Sequence, residues 1–198
     1  MRFKNILKLC LLTVLFGCGD SENSPVSMQS NPISTSKAPE KLISGIVADG
    51  YISGAIVYID KNGNYSLDGN ENYTYTDQNG RFKDLIYSEG TLVSAGGFDS
   101  ETSNFLGRFS LYTKLSTYRE NVMITPITSV AASLNNPNDI NKFLGIDTSI
   151  DIFSVDPVAN KSKDDKHKFL YEKGNQIAIL AHSQQTLINE FNGSRSET

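Results

Sequence analysis

The sequence predicts an α+β protein, with a small antiparallel β-sandwich of about seven strands followed by a C-terminal helical segment. Two observations support this. Between residues 42 and 124, short runs rich in β-branched and aromatic residues recur between Gly, Asn and Asp. From Thr125 onward, the spacing of apolar residues changes from two to about 3.6, which is typical of helices.

The first strands are predicted in "LISGIVAD" and "GAIVYID", which begin at Leu42 and Gly54. In the second run, Ala55, Val57 and Ile59 alternate with other residues, so we expect one well-buried face. "YTYTDQNGRFK" predicts a hairpin in which residues 73–76 and 81–83 pair across a turn with Asn79-Gly80. "TLVSAGGF", "FLGRFSLYT" and "ENVMIT" are three further strand candidates.

Helix boundaries are marked by cap residues. Thr125 is the expected N-cap of a helix that starts at Pro126. The same pattern follows with Asn136 as cap, Pro137 first and Gly145 as stop. A longer helix is predicted from about Asp165 to Phe191 and ended by Asn192-Gly193. One apolar stripe is expected on this helix, and we expect it to pack on the helix at 126–134; the stripe is formed by Leu170, Ile177, Leu180, Leu187, Ile188 and Phe191.

The N-terminus has the pattern of an export signal, predicted over residues 1–17. A basic segment precedes the apolar run "LCLLTVLFG", which is too short to span a bilayer. Leu15, Gly17 and Cys18 resemble the lipobox of bacterial lipoproteins. The resemblance implies a lipid-anchored Cys18, with palmitate among its acyl chains. The absence of Asp after it, at Gly19, favours the outer membrane. An ordinary cleaved signal with an incidental cysteine is the alternative.

Residues 18–41 are predicted to form a disordered tether, because Ser and Pro abound and large apolar residues are scarce. The four predicted regions are therefore the signal (1–17), the tether (18–41), the β-sandwich (42–124) and the helical segment with a polar tail (125–198). We expect the chain in the cell envelope, on the periplasmic face or at the cell surface.

The stretch "DKNGNYSLDGNE" has oxygen-bearing side chains at the spacing of a calcium loop. The predicted ligands are Asp60, Asn62, Asn64, Ser66, Asp68 and Glu71, at positions one, three, five, seven, nine and twelve. Tyr65 stands at position six, where the pattern has Gly. Three carboxylates would repel one another without a cation, which favours a bound ion. The number of protein ligands favours Ca²⁺ over Mg²⁺. A solvated polar turn is the alternative.

Residues 42–115 resemble the calcium-loop B-type repeats of bacterial surface proteins. These repeats belong with the prealbumin-like and carboxypeptidase-regulatory-like β-sandwiches, which have an immunoglobulin-like layout. The shared elements are Gly45, Gly54-Ala55, the residues of the loop, Thr76-Asp77 and Asn79-Gly80-x-Phe82. The resemblance implies a seven-stranded sandwich in which calcium stiffens a loop between strands.

No catalytic constellation is predicted. The chain has two histidines, and neither His167 nor His182 lies in a hydrolase or zinc motif. Asp99 and Glu101 are a conceivable carboxylate pair, but a polar loop rim is the better interpretation. The net charge of -4 argues against nucleic-acid binding.

Two functions remain as expectations. The first is a membrane-anchored binding or structural module, for adhesion or envelope assembly, with a protein or glycan partner. The tyrosine faces of Tyr73 and Tyr75 would suit a sugar, although cross-strand tyrosines are also common in sheets. The second is an accessory or cryptic hydrolase acting on envelope polymers or polysaccharide. The lack of a nucleophile–base pair in the sequence favours the first.

Overall fold

A computed structural model describes residues 39–103, 106, 110–115 and 117–195, with side chains through residue 186. The protein is α+β. Within the described residues there are nine strands, named here in chain order: β1 Leu42–Val47, β2 Ile52–Ser53, β3 Ile56–Asp60, β4 Tyr73–Tyr75, β5 Arg81–Ile86, β6 Gly90–Ala95, β7 Phe98–Asp99, β8 Ser110–Leu115 and β9 Asn121–Ile124. The predicted signal, Cys18 and most of the predicted tether lie outside the described residues.

The strands form three sheets. One has the order β5-β1-β9, a second has the order β4-β3-β6-β8, and β2 pairs with β7. All pairings are antiparallel except one, because β1 and β9 run parallel with Gly45 opposite Val122. The prediction of a purely antiparallel arrangement is therefore wrong for this pair. Gly45 suits the crossing, since a Cβ there would overlap the carbonyl oxygen of Val122 and the ring of Phe82.

The predicted hairpin at 73–83 is wrong, although its turn forms. Asp77 accepts hydrogen bonds from the backbone N–H groups of Asn79 and Arg81 at 2.8 and 2.9 Å. Gly80 has φ +68, which the turn requires. The strands on either side then separate, because β4 pairs with β3 and β5 pairs with β1. The turn thus connects two sheets instead of closing a hairpin.

The three-stranded and four-stranded sheets share one hydrophobic core. Ala55, which directly precedes β3, and Val57 and Ile59 of β3 point into it and are all at most 1% exposed, as the alternation predicts. The core also takes side chains from β1, β5, β6, β8 and β9: Ile43, Val47, Phe82, Leu85, Leu92, Leu111, Leu115, Val122 and Ile124.

Four α-helices lie within the described residues after β9: α1 Pro126–Ala132, α2 Ile140–Leu144, α3 Pro157–Asn160 and α4 Asp165–Arg195, with a 3₁₀ helix Pro137–Asp139 before α2. The predicted caps are confirmed. Thr125 and Thr128 form a capping box at the start of α1, and Gly145 ends α2 with φ +71. The predicted stop at Asn192-Gly193 is wrong, because α4 continues to Arg195.

The helices have a second core, formed by α1, α2, α4 and the segment between α2 and α3. Ile127 of α1 and Leu170 of α4 are each 2% exposed within it, and Ile177 packs against it. Leu180 contradicts the predicted stripe, since it is 65% exposed. Leu187, Ile188 and Phe191 lie beyond the described side chains. A hydrogen bond links the helices to the four-stranded sheet. The Thr128 hydroxyl in α1 donates to the carbonyl oxygen of Tyr112 in β8 at 2.8 Å.

Candidate functional site: an oxygen-rich loop and an acidic cleft

The oxygen-rich loop connects β3 to β4 and begins at the last residue of β3. Asp60 pairs with Thr91 of β6 and is 1% exposed, so its carboxylate starts the loop from inside the protein. One oxygen accepts the backbone N–H groups of Asn62 and Gly63 at 3.1 and 2.8 Å, and the other accepts that of Tyr65 at 2.9 Å. These bonds fold the loop around the Asp60 side chain.

The next two predicted ligands repeat this local pattern. The side-chain oxygen of Asn62 accepts the N–H of Asn64 at 3.0 Å, and that of Asn64 accepts the N–H of Ser66 at 2.8 Å. Each is a side chain bonded to the backbone two residues later, the Asx turn. The consecutive turns place alternate side chains on the inside of the loop. Ser66 is exposed, and its backbone N–H is the donor in the second of these turns.

Asp68 lies across the loop from the two asparagines. One of its oxygens accepts hydrogen bonds from the amide nitrogen atoms of Asn62 and Asn64, at 2.7 and 3.0 Å. The structure therefore brings together three of the predicted ligands by direct side-chain contact. In this arrangement the amide nitrogen atoms, and not the oxygens, face the Asp68 carboxylate.

Glu71 closes the loop from its far end. Its two carboxylate oxygens accept the backbone N–H groups of Lys61 and Asp68, at 2.8 and 3.2 Å. The residue is 7% exposed. Both ends of the loop are thus held by a buried carboxylate, Asp60 at the start and Glu71 at the end, and both accept N–H donors from within the loop.

Tyr65 occupies the position where the calcium-loop pattern has Gly, and its backbone is left-handed with φ 56. Two contacts stabilise this conformation. The Tyr58 hydroxyl donates to the Tyr65 carbonyl oxygen at 3.0 Å, and the Tyr65 ring meets the edge of Tyr112 with centroids 5.0 Å apart. Burial, followed by the negative charge of Asp60, raises the pKa of Tyr58 to about 12, so this hydroxyl stays a donor at neutral pH.

The donor set of the loop fits a hard cation in its chemistry, because carboxylate, amide and hydroxyl oxygens are the groups that Ca²⁺ prefers. Among residues 39–103, 106, 110–115 and 117–195, no group of three or more His, Cys, Asp or Glu side chains is arranged to hold a metal ion. The loop also offers Asn and Ser oxygens. Calcium binding stays a prediction for this loop.

A second polar region lies beside α4, where no sequence motif predicts a site. Asp49 follows β1, Asp99 ends β7, Glu101 comes two residues later, and His182 lies on α4; all four line one cleft of about 600 Å³. Asp99 and Glu101 are close in the sequence, but no motif marks Asp49 or His182. Residues so far apart in sequence meet only through the packing of α4 beside the sheets.

The cleft carboxylates differ in their partners. Glu101 accepts hydrogen bonds from Lys161 at 2.8 Å and from the Tyr171 hydroxyl at 2.7 Å, and the bond from Lys161 lowers the pKa of Glu101. Asp49 faces His182 Nε2 at 3.7 Å. Burial raises the pKa of Asp49 to about 6, an effect that the proximity of His182 opposes.

Comparison with protein-family models, with curated proteins and with solved structures gives no match. Over the described part of the chain, no helix is both long enough and apolar enough to cross a membrane.

Proposed function

We propose that this protein is a membrane-anchored, extracytoplasmic lipoprotein whose calcium-stiffened β-sandwich acts as a binding or structural module in adhesion or envelope assembly. The observation that carries the proposal is the folding of the loop around Asp60. Its carboxylate accepts three backbone N–H groups, and the turns that follow gather Asn62, Asn64 and Asp68 on the inside.

The proposed ligands are Asp60, Asn62, Asn64, Ser66, Asp68 and Glu71. A bound cation would supply positive charge to a loop that contains three carboxylates, two of them buried. It would also hold the two ends of the loop together. Since the loop joins β3 to the edge strand β4, calcium would make this edge of the sheet more rigid.

The proposed β-sandwich is immunoglobulin- or prealbumin-like. Support comes from the core, to which the three-stranded and four-stranded sheets both contribute buried side chains. The turn at 77–80 passes the chain from one sheet to the other, as crossovers in sandwiches do. The parallel β1–β9 pair extends the three-stranded sheet at one edge.

A binding role is supported by an exposed aromatic pair next to the loop. Tyr73 and Tyr75 are 53% and 59% exposed, and their rings meet edge to face with centroids 5.9 Å apart. They stand on β4, an edge strand of its sheet. Exposed aromatic rings on an edge strand suit a glycan or protein partner.

The proposed anchor is a lipid on Cys18. Replacing Cys18→Ser would remove the acylated thiol, so we expect the variant to leave the membrane fraction or to stall before processing, while the wild-type protein sediments with membranes. Equal amounts of both proteins in the soluble fraction would contradict the lipid anchor.

The alternative, a hydrolase acting on envelope polymers, has one observation in its favour. Asp49 and His182 Nε2 lie 3.7 Å apart in the cleft. A carboxylate beside a histidine can orient the imidazole in a hydrolase. The neighbouring hydroxyl of Ser183 donates to the carbonyl oxygen of Ile179 at 2.7 Å, which directs it along α4. The binding module is therefore preferred.

Thermal unfolding with calcium and with chelator tests the proposal. For a dissociation constant of about 10 µM and about 1 mM calcium, binding to the native state adds roughly 2.7 kcal/mol. For a chain of this length the melting temperature should rise by roughly 5–10 °C. Glu71→Gln should lose most of this gain, whereas Glu120→Gln, a matched change at an exposed glutamate, should keep it. Coincident melting curves for the wild-type protein would refute calcium stiffening.

A further inference from the structure

The cleft beside α4 has the size and lining of a small-molecule site. Its volume is about 600 Å³, within the range of ligand pockets in proteins. The lining has polar and apolar parts. The polar side chains include Asp49, Asp99, Glu101 and His182, and the apolar ones include Leu106, Ala178 and Ile179.

The charge of the cleft is negative. Its described lining contains three carboxylates and includes no Lys or Arg. Lys161 reaches Glu101 from outside that lining and offsets one of them. His182 is the remaining titratable group on the α4 side. With His182 neutral, the groups that face the cleft therefore leave a net negative charge.

Asp49 has fewer stabilising contacts than the other carboxylates of the cleft. Its side chain is only 9% exposed, and its nearest ionic partner, His182 Nε2, stands 3.7 Å away, which is longer than a hydrogen bond. The raised pKa of Asp49 has burial as its main cause, so ionisation of this carboxyl group is costly. A cation placed beside Asp49 would recover part of that cost.

Asp99 is held rigidly in the same lining. Its oxygens accept hydrogen bonds from the Glu101 N–H at 2.8 Å and from the Thr102 hydroxyl at 2.5 Å. The carboxylate also fills the space that a Cβ on Gly50 would occupy. Ile179, in the apolar part of the lining, is 65% exposed. A lining that combines rigid acidic groups with exposed aliphatic surface suits a ligand with a charged end and an apolar body.

We propose that the cleft binds a small organic cation, a primary ammonium group carried on an apolar carbon frame. The ammonium lies between Asp49 and Asp99, and the apolar frame lies on Ala178 and Ile179. A hydrated metal ion would gain nothing from the aliphatic side chains, whereas an alkyl or aryl amine would bury its carbon atoms there. The proposal does not depend on calcium binding by the loop.

Isothermal titration calorimetry of the full chain in mild detergent tests this proposal with phenethylamine as the probe. We expect saturable binding near pH 7.5, with a dissociation constant below about 1 mM. The neutral analogue 2-phenylethanol should bind at least tenfold more weakly, because it lacks the charge. Calcium chloride alone should not compete with the amine.

Three variants locate the site. Asp49→Asn should weaken amine binding at least tenfold, because it removes the buried charge at nearly constant volume. Ile179→Lys should weaken it by a similar factor, since the lysine brings its own ammonium into the cleft from an exposed position that tolerates substitution. Asp139→Asn, a matched change at an exposed aspartate outside the cleft, should leave it unchanged. Circular dichroism checks that each variant is folded.

The pH profile adds an independent readout. Binding should weaken between about pH 7.5 and 5, because Asp49, whose pKa is raised to about 6, takes up a proton; His182, Asp99, Glu101 and Lys161 face the same region. The proposal is overturned if the amine fails to bind, if 2-phenylethanol binds equally well, or if Asp49→Asn and Ile179→Lys bind like wild type. Displacement of the amine by calcium in Glu71→Gln would also overturn it. Amine binding that persists in Glu71→Gln separates this site from the loop.

Discussion

The loop after β3 and the cleft beside α4 both gather carboxylates, but they stabilise them to different degrees. In the loop, Asp60 and Glu71 accept backbone N–H groups from residues at most ten positions away. In the cleft, Glu101 is held by Lys161 and Tyr171, 60 and 70 positions away. Asp49 faces a histidine on the last helix.

The difference shows how a buried carboxylate can be accommodated. Backbone donors compensate burial without any second charged side chain, so a local loop can hold two buried carboxylates. In the cleft, Asp99 is held by neighbouring residues and Glu101 by distant side chains, but neither arrangement reaches Asp49. The loop therefore stabilises its own buried carboxylates, whereas the cleft contains a carboxylate, that of Asp49, whose charge is poorly compensated.

The largest expected effect concerns the helix that carries one side of the cleft. Leu170→Ala should destabilise the protein by about 2–5 kcal/mol, because this 2% exposed side chain fills the helical core. Leu180→Ala, on the same helix but 65% exposed, should change stability by less than about 0.5 kcal/mol. Denaturant unfolding measures both. Equal losses would show that α4 packs through a different face.

A second comparison uses two glycines, one in each region. Gly50 and Gly63 have φ +71 and +76, so alanine strains the backbone at both by about 1 kcal/mol. At Gly50 the added Cβ would also overlap the fixed carboxylate of Asp99, whereas at Gly63 it meets open space. Gly50→Ala should therefore cost roughly 2–3 kcal/mol in chemical unfolding. A cost no greater than that of Gly63→Ala would mean that Asp99 is free to move.

The third prediction uses pH to test whether the negative charge of Asp49 destabilises the folded protein. The pKa of Asp49 is raised from 3.8 to about 6 on folding, so the folded state holds this proton more tightly. The stability that the protonated Asp49 contributes is fully present below about pH 4 and is lost as the pH rises through about 6. Asp49→Asn should therefore be more stable than wild type at pH 7, by on the order of 1–2 kcal/mol. Melting curves at pH 4 and 7 test this; a variant less stable at pH 7 would contradict it.

The smallest expected effect lies in the loop, at Tyr65. The calcium-loop pattern alone suggests that Tyr65→Gly should tighten binding. Glycine would relieve about 1 kcal/mol of left-handed strain, but it would also remove the ring contact with Tyr112, worth about 0.5–1.5 kcal/mol. We therefore expect a net change in stability below about 1 kcal/mol. A loss above about 2 kcal/mol in the calcium-free protein would show that the ring, and not the backbone, holds the loop.

Local features of the sequence predict local features of the structure well. Thr125, Pro126 and Gly145 mark helix ends through hydrogen bonds and backbone angles that involve only neighbouring residues. The alternation of Ala55, Val57 and Ile59 predicts their burial for the same reason. The turns around Asp60 belong to this class, since spacing alone places the side chains inside the loop.

The sequence does not predict which strands pair, or which side chains meet, across long sequence separations. The turn at Asp77–Gly80 forms as predicted, but which strands pair beyond it depends on β1 and β3. Periodicity finds an apolar stripe on α4 but cannot tell that Leu180 is left 65% exposed in the described part of the chain. Asp49 and His182 likewise carry no signal until α4 brings them together, so the cleft is visible only in the folded chain.

The central claim is that Asp60, Asn62, Asn64, Ser66, Asp68 and Glu71 hold one calcium ion, independently of the cleft. Calcium titration calorimetry of the full chain tests it most directly. The account predicts one ion per chain for the wild-type protein and for Asp49→Asn, and loss of that binding in Glu71→Gln. If the wild-type protein takes up no calcium, or if Asp49→Asn abolishes binding while Glu71→Gln retains it, the loop is a polar turn and the claim is wrong.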